Sequence, residues 1–300
     1  MKVEVKDKRG SLVVRDSLVA AFFCKRPYPE LAKAFGKAFD LWFSKTPEEA
    51  KKWALIGAHA DEYKAFDPKK PSRALAEFDP ARAKTRDICS LEMGGPIQIN
   101  SDYHFSFTGS RDLNEKRSNF LEVRFPSHEA EPDRVDAYVS FIAKLAELLP
   151  YDSGYASLAL TCGGMSMQDA FAQAAAKWAF RHPGFDMPSN NNTTAGIRQK
   201  VRGAYWITFI GPPALGELGG EDALRKALPK EIEVKPAGAG VMLRAGKVPE
   251  LGDVNKRDKL PLLRAMAKVL EPVTQLNDTF LNAMFVDPGE IGRWLRRHLD

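Results

Sequence analysis

The chain has 300 residues, of which 44 are basic and 39 acidic, so its formal net charge is +5. A hydrophobic fraction of 44% and a charged fraction of 28% are typical of a globular protein with a sizeable core. No stretch approaches the roughly eighteen apolar residues of a membrane-spanning helix, which excludes that class of membrane protein. The basic excess is small and interspersed with acids, which favours a solvated surface over a nucleic-acid footprint.

The N-terminal sequence and the cysteines both indicate the cytoplasm. The segment MKVEVKDKRGSLVVRD mixes charges with apolar residues and does not have the apolar core of a secretory signal. Cys24, Cys89 and Cys162 are odd in number and widely spaced, which favours buried free thiols over a disulfide framework. We therefore expect a cytoplasmic protein.

The first third of the chain predicts a hairpin followed by helices. KVEVKD and SLVVRDSLVAAFFC are strand-like, with RG as the turn between them. From Glu30 onward, apolar residues recur on one helical face as far as Trp42. The segment TPEE predicts a second helix that Thr46 caps. Residues 62–87 are polar and weakly periodic, and we expect a loop there.

Two alternating segments then predict paired strands. In PIQINSDYHFSFTG, polar residues alternate with Phe105 and Phe107, which is the period of a half-buried strand. NFLEVRFPS is the second strand, and the charged SRDLNEKRS between them is an exposed connection. We expect Pro132 to open an amphipathic helix that ends at Pro150.

The second half mixes strands and helices in an irregular order. GYASLALTC is strand-like, and Ser166 and Asp169 form a capping-box pattern that predicts a helix up to His182. Further on, AYWITFIG predicts a strand, and ALGEL and EDALRKAL predict short helices. EIEVKPAGAGVMLRAG predicts two strands, and KLPLLRAMAKVLEPV and EIGRWLRRH predict helices.

This order of elements predicts an α+β fold, with antiparallel or mixed β-sheets packed against amphipathic helices. Strand–helix–strand order occurs in the second half, so a mixed sheet stays open. No linker-like or low-complexity segment divides the chain. We therefore expect one domain over residues 1–300, with residues 1–150 and 151–300 as candidate sub-halves that resemble each other.

The sequence contains no coherent motif for catalysis or for cofactor binding. The glycines of PAGAG lead into a strand-like segment, whereas a dinucleotide-binding loop leads into a helix. The five histidines lie far apart, there is no GxSxG elbow, and Cys162 has no nearby cue for a base. We therefore expect no catalytic residue, no cofactor and no metal site.

Two segments leave alternatives open. In SHEAEPD, His128 lies beside Glu129 and Glu131, a local cluster of a histidine with carboxylates. A charged connection, with Glu131 and Asp133 near the positive end of the next helix, is the favoured interpretation over a functional site. GIRQKVRGAYW interleaves basic and aromatic residues as a nucleic-acid contact would, although strand packing explains its aromatic residues equally.

The segment VPELGDVNKRDKLP places three polar side chains close together and could be a calcium loop. Counted from Asp253, however, positions 5 and 12 of an EF-hand loop would be Arg257 and Arg264, which cannot ligate calcium. We expect instead that Gly252 and Asp253 form a turn and that Asp258 caps the next helix.

Several segments resemble one known family when they are taken in order. They include LEVRFPS, LLPYDSGYASLAL, RHPGFDMP, KVRGAYWITFIGPPALGELGGEDALRKAL and VKPAGAGVMLRAGKVPELGDVNKRDKLPLLRAMAKVLEPV. These segments are similar to the type VI secretion immunity family that was first catalogued as a domain of unknown function and later linked to VRR-NUC nucleases. The resemblance covers roughly residues 10 to 275 and is strongest from Tyr151 onward.

The resemblance implies a cytoplasmic antitoxin, not an enzyme, that binds and neutralises a type VI nuclease effector with a restriction-endonuclease-like domain. It carries over no catalytic residue. The alternatives from the residues alone are a basic nucleic-acid-binding protein and, less favoured, a metal-independent enzyme. An inhibitor that covers a DNA-binding cleft needs acidic surface, so the candidate toxin contacts are acidic: Glu129, Glu131, Asp133, Asp136, Glu217, Glu221, Asp222, Asp253 and Asp258.

Overall fold

In a computed structural model, the described residues are 2–94, 102–114, 117–162, 168–276 and 288–300. The strands are β1 (Glu4–Lys6), β2 (Leu12–Cys24), β3 (Trp53–Ile56), β4 (Lys64–Ala65), β5 (Ile88–Gly94), β6 (His104–Ser110), β7 (Asn119–Pro126), β8 (Ser153–Cys162), β9 (Ile207–Ile210), β10 (Ile232–Ala237) and β11 (Gly240–Ala245). The helices are α1 (Tyr28–Lys45), α2 (Ser72–Leu75), α3 (Pro80–Thr85), α4 (Val135–Leu148), α5 (Gln168–Arg181), α6 (Asn190–Thr193), α7 (Pro212–Glu217), α8 (Gly220–Ala227), α9 (Pro261–Leu270) and α10 (Pro288–Leu295).

All these strands join one open sheet. Its order is β10-β11-β9-β8-β2-β7-β6-β5-β3-β4, and β1 pairs with the start of β2. Every ladder between named strands is antiparallel. The long central pair, β2 and β8, joins strands from the first and second parts of the chain. The predicted α+β class, with an antiparallel sheet, is confirmed.

Helices α1 and α4 pack against one face of the sheet, where the main core lies. The apolar face of α1 buries Leu31, Phe35 and Phe39, as the helical spacing predicts. These side chains belong to one cluster with Phe105 and Phe107 of β6, and Phe35 meets Phe107 edge to face at 5.7 Å. Residues of α5 and α10 also join this cluster.

The opposite face of the sheet is divided. Over β9, β11 and β10, apolar residues such as Leu243 and Val234 form a second cluster with α7, α8 and α9. Over β5, β6 and β7, the same face carries polar side chains, including His104 and Glu122, which are buried. The sheet is therefore apolar on both faces over β9–β11, whereas over β5–β7 the opposite face is mainly polar, with Phe120 as a buried apolar residue among the polar ones.

Two local predictions are wrong, and one confirmed helix begins later than expected. Residues 62–87 are not a loop, since β4, α2 and α3 lie there with a 3-10 helix between the two helices. The TPEE segment forms only a 3-10 helix, and the Thr46 hydroxyl donates to the Trp42 carbonyl at 2.8 Å instead of capping it. The helix expected from Pro132 begins at Val135, after a 3-10 helix over Ser127–Ala130.

Other predictions are confirmed or lie outside the described residues. Cys24 and Cys89 are buried free thiols, and burial raises the pKa of Cys89 to about 11. Ser166, the side chain of Cys162, and residues 96–101 of the predicted strand lie outside the described part. Within that part, no helix is both long and apolar enough to cross a membrane.

Candidate binding surface

The first group of predicted contacts lies between β7 and α4 and is mostly exposed. Glu129 is in the 3-10 helix, 3.5 Å from His128 and 3.7 Å from Arg134. Asp133 also approaches Arg134, at 3.9 Å. Asp136, in the first turn of α4, pairs with Arg244 of β11 at 3.3 Å, yet its side chain stays 71% exposed.

Glu131 differs from its neighbours in this group. Its side chain is exposed, and it forms no ion pair with any residue that the structure describes. Its backbone carbonyl accepts from the amides of Arg134 and Val135, which holds the turn that leads into α4. The backbone of Glu131 is thus held in place by hydrogen bonds, whereas its side chain is exposed to solvent.

The second predicted group lies on α7 and α8. Glu217 ends α7, and Glu221 and Asp222 occupy the first turn of α8, where their charge favours the positive end of the helix. Glu221 pairs with Arg225 one turn later at 2.5 Å. Among the described residues, no ion pair or hydrogen bond joins this group to the first one. They are separate patches.

The carboxylates of Asp253 and Asp258 already accept hydrogen bonds from within the protein. Asp253 is only 7% exposed, accepts from the Asn255 amide at 3.0 Å and pairs with Arg181 at 3.0 Å. The hydrogen bond from Arg181 holds the pKa of Asp253 below its usual value. Gly252 takes the predicted turn with a φ of +65°.

The predicted cap of the following helix is wrong. The Asp258 carboxylate accepts from the Asp253 amide at 3.0 Å instead of turning forward. Leu260, in a left-handed conformation with a φ of +46°, precedes α9, and no side chain caps that helix. Within the described chain, no group of three metal-ligating side chains is placed to hold an ion.

A cleft of about 500 Å³ opens beside the first acidic group. It lies where the start of β2, the segment that leads into α4, and the segment after β11 meet. Asp16, His128 and Glu131 line it, together with Leu158 and Leu251. The sequence indicated His128 and Glu131 as a local cluster. It did not single out Asp16, which lies far from every predicted contact in the sequence and is brought beside them only by the fold.

The polar layer on the β5–β7 face is a second feature that the sequence did not predict. Glu122 accepts from the Arg124 guanidinium at 2.5 Å and also from the Asn190 amide. Farther along, Arg202 donates to Asp186 at 2.6 Å, with both side chains buried. The alternation in NFLEVRFPS placed Glu122 and Arg124 on one face, but burial on that face depends on α6 and its flanking segments, which lie far away in sequence.

Comparison with known proteins identifies the family of the chain. The family TsiV, described as type VI immunity for VRR-NUC, matches residues 40–298. No curated protein sequence matches. Among solved structures, the Pseudomonas aeruginosa T6SS protein PA0821 is similar, with a TM-score of 0.78 and 18% identity over 99% of this chain and 91% of that chain. At this identity the structural similarity shows the fold alone, whereas the family match spans most of the sequence, and the chain belongs to the TsiV family of type VI immunity proteins for VRR-NUC.

Proposed function

We propose that this protein neutralises its nuclease by binding it directly, as a stoichiometric inhibitor and not as an enzyme. The family match over residues 40–298 carries the proposal, since it names the class of toxin as VRR-NUC. The compartment in which we expect this to happen is the cytoplasm, where the nuclease would otherwise reach DNA. The partner is the VRR-NUC nuclease encoded beside the immunity gene.

The first acidic group is the toxin-facing surface that we favour. A nuclease must bind a polyanion, so its substrate-binding surface is expected to be cationic. Glu131, Asp133 and Asp136 are exposed and could meet such a surface, although the chain as a whole has a net charge of +5. Asp253 is a weaker candidate, because it is buried and already paired with Arg181.

A binding and inhibition assay tests this function. The protein is titrated into the purified nuclease, complex formation is measured by calorimetry, and cleavage of linear DNA is followed in parallel. We expect saturation at one immunity protein per nuclease, with cleavage falling in step. A nuclease of an unrelated family is the control and should keep its activity.

Two results would contradict the proposal. One is full nuclease activity in the presence of excess immunity protein. The other is salt-sensitive retardation of DNA by the immunity protein alone, with protection explained by coating of the substrate, which would favour the nucleic-acid-binding alternative.

A further inference from the structure

Asp16 is an acidic residue between apolar neighbours on one face of β2. On β2, side chains alternate between the two faces of the sheet, and Val14 and Leu18, its neighbours on the same face, are fully buried in the main core. Asp16 itself is only 5% exposed. Burying a carboxylate among apolar side chains is costly unless its oxygens find partners.

The partners of Asp16 satisfy only half of its carboxylate. Oδ1 accepts from the Val3 amide at 2.8 Å, and the Asp16 amide donates to the Val3 carbonyl at 3.1 Å. Oδ2 is buried and has no hydrogen-bond partner among the described residues. A buried oxygen without a partner requires an explanation, and a donor from a bound partner would supply one.

The surroundings of Asp16 suit a cationic side chain with an apolar stem. Asp16 lines the cleft of about 500 Å³, and Glu131 lies on its exposed border. The apolar part of the wall includes Pro126, Ala130, Leu158, Val248, Pro249 and Leu251. Long basic side chains bury their methylene groups along such surfaces while their charged ends bind carboxylates.

The cleft's own cations already have partners. Lys2 pairs with Glu4 at 3.0 Å, and Arg15 pairs with Asp102. His128 lies 3.5 Å from Glu129. None of them donates a hydrogen bond to Asp16 Oδ2, so within the described chain the cleft itself supplies no donor to this oxygen.

We propose that this cleft receives a lysine or arginine side chain of the nuclease. The ammonium or guanidinium group donates to Asp16 Oδ2 and to Glu131, and the stem packs on the apolar wall. The inference rests on the proposed function, because the occupant is the bound nuclease. It adds Asp16 as the central contact, although Asp16 lies apart from the exposed acids that the sequence indicates.

The test measures affinity for the purified cognate nuclease in four proteins: wild type, Asp16→Asn, Glu131→Lys, and the control Asp61→Asn with Glu62→Gln, two exposed acids outside the predicted contacts. Asp16→Asn keeps the acceptor for Val3 and removes the charge. We expect Asp16→Asn and Glu131→Lys each to weaken binding about 30-fold or more, as for loss of one member of a buried charge pair. The control should stay within about twofold of wild type.

A double-mutant cycle identifies the nuclease residue that occupies the cleft. Each lysine and arginine of the nuclease is changed to alanine and tested against wild type and Asp16→Asn. One of these changes should weaken binding to wild type strongly and binding to Asp16→Asn little, because the two residues share one interaction.

The outcomes separate the cleft from the function. If wild type does not bind the nuclease, the proposed function fails with the inference. If wild type binds and Glu131→Lys, whose exposed side chain leaves the fold undisturbed, binds equally well, the cleft is not the contact and the proposed function stands. Equal binding by folded Asp16→Asn would show that Asp16 Oδ2 binds only water.

Discussion

The two parts of the sheet differ in the face that lies away from α1 and α4. In β5, β6 and β7 that face carries Glu92, His104 and Glu122, and its contacts are hydrogen bonds and ion pairs. In β9, β11 and β10 the same face carries Leu243 and Val234, which pack against α7, α8 and α9. The same face of the sheet is thus covered by polar contacts in one part and by apolar packing against helices in the other.

Because of this difference, we expect the stability of the protein to respond to different substitutions in the two parts of the sheet. Apolar packing is non-directional, so the β9–β11 part should respond to lost volume. Buried polar groups depend on the presence of each partner, so the β5–β7 part and the neighbouring Arg202–Asp186 pair should respond to lost charge. Substitutions on the two sides can therefore be compared directly.

Removal of Asp186 should have the largest effect. Its carboxylate accepts from Arg202 at 2.6 Å and from the Tyr205 hydroxyl at 3.1 Å, and all three residues are buried. Because Asp186→Ala leaves the guanidinium buried without its counter-charge, we expect the free energy of unfolding to fall by about 4 kcal/mol in urea denaturation. The double change Asp186→Leu with Arg202→Met should recover most of this loss, and a double variant as unstable as the single one would contradict the interpretation.

Truncation in the apolar part should come next. Leu243 is fully buried in the second cluster, so Leu243→Ala should lower the free energy of unfolding by about 3 kcal/mol through lost burial and a residual cavity. The matched control is Leu75→Ala, since Leu75 is 40% exposed and should change stability by less than about 0.5 kcal/mol. Similar losses from the two variants would argue against a second core.

The long periodic elements were the predictable part of this fold. α1 and α4 follow from apolar spacing, and the strands of the second half follow from short apolar runs between turn residues. α2 and α3 could not be predicted, because helices of four and six residues are too short to show a period. They are held by tertiary contacts: the Tyr28 hydroxyl donates to the Glu77 carbonyl at 2.7 Å, and Arg82 donates to the Glu77 carboxylate at 2.6 Å.

The candidate binding surface was predictable only in part. The exposed acids after Pro126 are visible as a charged run in the sequence, and the family resemblance indicated the function. Asp16, in the strand-like SLVVRDSLV, gives no such signal, because its burial and its unpartnered oxygen depend on Val3 and on a cleft wall that includes Val248. The predicted cap by Asp258 failed for a similar reason, since its carboxylate turns back to the Asp253 amide.

Two Tyr→Phe substitutions, each of which removes one hydroxyl, compare the polar face with the main apolar face. The Tyr63 hydroxyl donates to Glu92 at 2.6 Å, so Tyr63→Phe should cost about 1 kcal/mol of unfolding free energy. The Tyr138 hydroxyl, on the main apolar face, is buried without a hydrogen-bond partner in the described chain. Tyr138→Phe should therefore be neutral or stabilising in the same urea titration, and an equal loss in both variants would contradict the distinction.

The smallest expected effect is a change in the pH dependence of stability. Desolvation pushes the pKa of Glu92 upward, but His104 and the hydrogen bond from Tyr63 outweigh it and bring the pKa from 4.5 down to about 2. Because the folded state lowers this pKa, the contribution of Glu92 is complete above pH 4.5 and is lost as the pH falls towards 2. The effect is small, since the Glu92 side chain is 42% exposed.

Thermal unfolding of wild type, Glu92→Gln and Leu243→Ala at several pH values between about 6 and 3 measures this contribution. Glu92→Gln has no carboxylate to protonate, so its melting temperature should fall less than that of wild type over this interval. Leu243→Ala removes volume and no charge, so its curve should be lower than that of wild type and parallel to it. If Glu92→Gln also runs parallel to wild type, the carboxylate adds nothing to the polar face, and the two parts of the sheet differ in composition but not in how acid destabilises them.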